Sequence, residues 1–154
     1  MRPVQIIFRA AGIYGLVITL PQYFRLEANG AQFPPAITHP EYYFGFLGTV
    51  AVFQILFLTI ANDPMHYRAL MPLCVLEKLV YADPAAILYS QHRLASPIFL
   101  TGVIDAIWGL LFAWAFYTTT RAHRAAAARR QAFVCRQIDR IGAGNNLQRQ
   151  SVRQ

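Results

Sequence analysis

Residues 69–90 read ALMPLCVLEKLVYADPAAILYS, and the architecture of the chain turns on them. The stretch is long and apolar enough for a membrane span, which takes ~20 apolar residues. Yet it contains Glu77, Lys78 and Asp83. A charged side chain at membrane depth is costly, so such groups face a protein interior or a wet cavity rather than lipid. Other segments must therefore wrap this one.

Three apolar stretches are available to do so. The chain has 154 residues, 56% hydrophobic and 14% charged, whereas a soluble domain carries about a quarter charged residues. The deficit falls in blocks. The expected spans are 3–20, 42–61, 69–90 and 97–118. The predicted fold is therefore all-α: a left-handed four-helix transmembrane bundle over 1–118, followed by a basic tail over 119–154. A secretory signal is the rival reading of the first block, but Arg9 interrupts it and no small-x-small cleavage site follows.

Punctuation supports these limits. Thr38 and Glu41 have capping-box spacing and start the second helix near His39. Asp63-Pro64 reads as a cap and first turn. Pro84 removes one backbone donor and predicts a kink in the third helix. Residues 21–40, with Asn29-Gly30 and Phe33-Pro34-Pro35, read as a long connection. Small residues predict close helix approach along Phe8, Gly12, Gly15 and Thr19, at Gly45 and Thr49, and along Gly102, Ala106, Gly109 and Ala113.

Charge sets the topology. Of fourteen Lys and Arg, eight follow Tyr117: Arg121, Arg124, Arg129, Arg130, Arg136, Arg140, Arg149 and Arg153. Such a tail belongs on the cytoplasmic side, and four spans return the N-terminus there. Val134, Ile138 and Ile141 share a helical face with Arg130, Arg136 and Arg140 around it, a pattern suited to anionic headgroups. This accounts for the net charge of +7 without nucleic acid.

Depth, at 1.5 Å per residue, sorts the buried polar groups into two layers. Arg9, Gln54 and Glu77 share the inner one, where an Arg9–Glu77 pair is expected and Lys78 is expected to snorkel to the headgroups. The plainer reading of that layer is that it locks the bundle's register. Asp83 and Asp105 share the outer layer, with Tyr81 and Trp108 beside them as further lining of a ligand pocket. Two carboxylates close together in low dielectric cannot both ionise comfortably, so the pair is expected to hold a proton between them, or an ammonium or hydroxyl of a lipid-like ligand. The plainer alternative is local bonding of Asp83 to backbone freed by Pro84, and of Asp105 across a helix seam. His39, His66, His92 and His123 fall at span ends or in loops without ligand spacing, so no metal is expected. Cys74 and Cys135 lack the spacing of a disulfide scaffold or zinc site. No nucleophile triad, phosphate loop or nucleotide fingerprint occurs, and no cofactor is expected.

The order PPAITHPEYYFGFLG, IANDPMHYRALM, LEKL, LTGVIDAIWGLLFAWAF resembles a group of bacterial four-helix membrane proteins, loosely similar to the DoxX-like families. The resemblance implies a small multi-pass inner-membrane bundle, in some cases associated with quinone-linked or redox enzymes. A remoter likeness is to sterol-isomerase and sigma-2-receptor-type bundles, whose buried acids hold amphiphilic amines and sterols. No acidic motif of theirs matches Glu77, Asp83 or Asp105 residue by residue, so no catalytic role carries over.

Two functions remain in view. The first is binding of an apolar or amphiphilic small molecule (lipid, isoprenoid or quinone-like) in a pocket lined by buried acids, with enzymatic turnover left open. The second is an accessory or assembly subunit that docks another membrane protein. The topology is checked by reporter fusions within residues 21–33 and at the C-terminus. The expected outcome is an external signal from the first and a cytoplasmic signal from the second.

Overall fold

The computed structural model describes residues 2–33 and 36–151; among them the secondary structure is helical, with no strand. Helix α1 spans Arg2–Thr19 and continues as a 3-10 turn, Leu20–Phe24. A short helix α2 follows at Leu26–Gln32, then α3 at Pro40–Asn62. A second 3-10 turn, His66–Leu70, leads into α4 at Met71–Ser90, and α5 runs Ser96–Ser151. The chain divides into two units, Met1–Thr119 and Thr120–Gln154.

The helix boundaries follow local chemistry. Pro40 occupies the first turn of α3, where its missing N–H costs no hydrogen bond. The expected Thr38–Glu41 capping box does not form; His39 Nδ1 instead lies 3.0 Å from Glu41 Oε1. Asp63 Oδ1 accepts from the backbone N–H groups of Met65 and His66, at 3.2 and 3.0 Å, and so caps the second 3-10 turn. Helix α4 remains continuous through Pro84. It stops where His92 takes a φ of 57°, in the left-handed region, which lets Arg93 N–H reach back to the Leu88 carbonyl at 2.9 Å. The long connection is more ordered than its Asn29-Gly30 dipeptide suggests, because α2 occupies it; Pro34 and Pro35 lie outside the described residues.

Three helices are long and apolar enough to cross a membrane: Arg2–Phe24, Pro40–Asn62 and Ser96–Phe133. The fourth expected span, α4, does not qualify by composition. Glu77, Lys78 and Asp83 sit so centrally in its 20 residues that no 18-residue window avoids them.

One end of the first unit is packed solid. Phe8, Phe57 and Phe112 are wholly buried, with Phe8 stacked on Phe112 at 4.5 Å and Phe57 tilted against Phe112 at 4.8 Å. Val4, Ala11, Ile60, Ala61, Met71, Cys74 and Ala115 close around them. Such ring pairs add specific geometry to the packing, which matters where lipid offers side chains an equally apolar alternative.

The glycine seams place the helices. All four residues of the α1 seam are buried, and a Cβ at Gly12 would come within 2.8 Å of Leu58 and 3.0 Å of the Gln54 carbonyl. At Gly102 a Cβ would meet Ala85 at 2.9 Å, so α4 and α5 also touch nearly backbone to backbone. Two expected contacts do not occur. Gly45 has open space around it, and Ala113 is exposed because Phe112, one step away, takes the inward position. In the second unit the side chains of 121–133 are exposed; those of Val134, Ile138 and Ile141, on which the amphipathic expectation rests, lie outside the described residues.

Gly12→Ala is expected to lower stability by about 1–3 kcal/mol, the usual cost of overpacking a tight site. Gly45→Ala, in open space within α3, is expected to raise stability by about 0.5–1 kcal/mol, since Ala is the better helix former. Unfolding of both variants in the same detergent checks the contrast.

Candidate functional site

Lys78 is the centre of the site. Its residue is 5% exposed, although it carries a full ammonium group. Nζ donates to Glu77 Oε1 at 3.2 Å, lies 3.1 Å from Glu77 Oε2, and pairs with Asp105 Oδ1 at 3.1 Å. It also sits 5.4 Å from the centre of the Phe57 ring, within cation–π range. Gly109 makes the room: a Cβ there would already touch the Lys78 stem at 3.4 Å.

Adjacent residues on a helix stand about 100° apart and do not normally meet. The long lysine stem turns its ammonium back toward Glu77, and α5 supplies the second acid. Two carboxylates against one ammonium leave one formal negative charge. Glu77 Oε2 is buried and near Nζ, but out of line for a hydrogen bond, and it has no hydrogen-bond partner among the described residues.

The cluster forms the inner end of a cavity of about 1110 Å³. Gln54, 2% exposed, lies beside it and ties its own amide to the Val50 carbonyl at 3.2 Å. The walls are largely apolar: Ile18, Leu47, Val50, Phe53 and Ile98. Over the mouth lie Gln22, Arg25 and Asn29. A polar clasp holds this cover. Asn29 Nδ2 donates to Gln22 Oε1 and to Tyr43 Oη, both at 2.8 Å, while Tyr43 donates to the Gln22 carbonyl at 2.8 Å.

The sequence expectations meet this geometry unevenly. Glu77 and Gln54 are in the cluster region, but Arg9 is exposed and makes no pair with Glu77. Phe8 takes the inward direction on α1, and the next residue necessarily points about 100° away. Lys78 does not snorkel; it is the partner Arg9 was expected to be. Asp105 and Tyr81 line the cavity, and Tyr81 Oη lies 2.9 Å from Thr101 Oγ1. Asp83 is exposed and does not join Asp105. It lies five residues beyond Lys78, about 140° round the helix, on a face α5 does not cover. Trp108 packs beside the aromatic core, 6.2 Å from Phe112, and does not line the cavity. The clasp of Gln22, Asn29 and Tyr43 went unanticipated, since Asn29-Gly30 reads as an ordinary turn.

Chemically, the site can hold a polar group against fixed charges at the closed end of an apolar chamber.

Comparison with known protein families, curated proteins and solved structures gave no match for this chain.

Removing one partner of a buried charge cluster costs more than removing all of them. Lys78→Met, which strands two carboxylates, is expected to cost about 3–5 kcal/mol. The combined variant Glu77→Gln, Lys78→Met, Asp105→Asn should recover most of that loss. Denaturant unfolding of both variants measures the difference.

Proposed function

We propose that this chain is a four-span membrane protein that binds an apolar or amphiphilic small molecule in the cavity between α1, α3, α4 and α5. The observation that carries the reading is a chamber of about 1110 Å³ with apolar walls and the Glu77–Lys78–Asp105 cluster at its inner end. Ligand pockets commonly combine a mostly apolar lining with a few convergent polar groups, at volumes of ~300–1,000 Å³. This one, at about 1110 Å³, lies just above that range, with room for a lipid, an isoprenoid or a quinone. A ligand's hydroxyl or ammonium would lie at the charged end, and its apolar body along the walls.

Helix α4 serves as the fourth span in this proposal. Its hydropathy is lowered by three charges; Glu77 and Lys78 neutralise each other inside the bundle, which removes most of their cost in lipid, while Asp83 is exposed and keeps its own. Four spans and the arginine-rich tail support cytoplasmic termini in a bacterial inner membrane, with the exposed arginines of 121–133 against anionic headgroups. The open chamber favours ligand binding over the docking-subunit alternative, for which a filled core is expected. The DoxX-like resemblance is part of the same proposal and rests on the quoted segments alone.

Native mass spectrometry of protein released from nanodiscs tests the reading. The wild type is expected to carry a bound apolar molecule. Val50→Trp, which projects a large ring into the chamber, should lose it while the protein stays folded. Retention of the molecule by that variant would count against the cavity as its site.

A further inference from the structure

The shape of the cavity identifies what kind of amphiphile it takes and from where. On α4 the buried stripe is Met71, Cys74, Lys78, Ala82 and Ala85. Leu73, Leu76 and Val80, three and four apart, form a separate stripe and are 51%, 55% and 62% exposed. At 100° per residue, Leu76 and Val80 lie about 160° from Lys78, almost on the opposite side of the helix. Yet the same cavity touches Lys78, Leu73, Leu76 and Val80. A chamber enclosed by the bundle would meet one of these stripes and not the other. This one therefore passes around α4 and emerges at its outward face. Across the gap stand Phe46, Thr49 and Phe53 of α3, which also line it. Phe46 makes a ring contact with Tyr81 at 6.2 Å, near one end of this slot.

Charge defines the other end. The cluster sets two carboxylates against one ammonium, and the more open of the two, Asp105, has a 23% exposed side chain that lines the cavity. An anionic head would meet a formal excess of negative charge there, whereas a hydrogen-bond donor would meet a carboxylate acceptor.

Resting on the binding reading above, we propose that the occupant is a long-chain amphiphile drawn sideways from the bilayer, with a non-anionic, hydrogen-bond-donating head at the Glu77–Lys78–Asp105 cluster, on the Asp105 side, and its chain leaving between α3 and α4. An ammonium and a hydroxyl share the required chemistry. The apolar slot opens on the span surface, so the chain remains continuous with the lipid phase while the head is buried.

The experiment uses full-length protein in nanodiscs doped with hexadecylamine, hexadecanol or hexadecanoate, with occupancy read by native mass spectrometry. The amine or the alcohol should be retained about 10-fold or more over the acid, the scale of a hydrogen bond to a charged group. Preference for the amine identifies a cationic head, and preference for the alcohol a neutral one. Equal or better retention of the acid overturns the assignment of the head while leaving a binding cavity in place. Retention of none, together with no co-purified molecule in the wild type, overturns the binding reading itself.

The side entrance is tested with Leu76→Trp/Val80→Trp, using hexadecylamine and water-soluble butylamine as the two probes. The proposal expects the variant to lose at least about 10-fold in hexadecylamine occupancy while butylamine occupancy is unchanged, the latter also showing that the site is still folded. Unchanged hexadecylamine occupancy overturns the entrance. Should the variant fail to fold, the chain-length and head series on wild-type protein still decides: butylamine retained as well as hexadecylamine would show that the slot holds no chain.

Discussion

A buried ammonium between two carboxylates is the constraint on which this bundle depends. Lys78 is removed from water almost completely, and only close anions make that tolerable. Glu77 arrives with it on α4, but Asp105 must be delivered by α5. That delivery fixes the relative height of the two helices. The close contacts at Gly102 and Gly109 permit the approach, and the tight reversal at His92 sets α5 antiparallel to α4 directly afterward. Small residues, turn and ion pair are thus parts of a single geometric solution.

The same solution explains why polarity and packing are segregated along the bundle. Phe8, Phe57 and Phe112 fill one end, and Thr119, buried nearby, bonds to the Ala115 carbonyl of its own helix at 2.7 Å. Phe57 also presents its ring to the lysine ammonium, marking the boundary between the dry end and the charged end. Beyond that boundary the chamber begins, although α4 and α5 stay in close contact at Gly102 and Ala85.

Much of this was legible in the sequence, for identifiable reasons. An aspartate before a turn, and small residues recurring at steps of three and four, have local causes and local effects, so Asp63 binds the backbone N–H groups after it and the α1 seam is buried, as expected. The charged groups are harder, because a single residue step turns a side chain by about 100°. Depth alone could align Arg9 with Glu77 and Asp83 with Asp105; direction separates both pairs. Lys78 departs from the snorkelling expectation because a long stem reaches the headgroups or folds inward with equal ease, and the choice is made by Asp105, 27 residues away in sequence. Helix α2 is only seven residues long and contains Asn-Gly, so neither period nor length betrays it.

The uneven filling of the bundle has a mechanical consequence. At the aromatic end, each helix is wedged by rings that leave no free volume, and opening there requires several side chains to move together. At the chamber end, the helices are held by the clasp over the mouth and by the Tyr81–Thr101 contact, both built from a few polar bonds. Local opening favours regions with few buried apolar contacts. The aromatic end is thus the stiffer part of the bundle, and the polar clasp is where local opening is expected first.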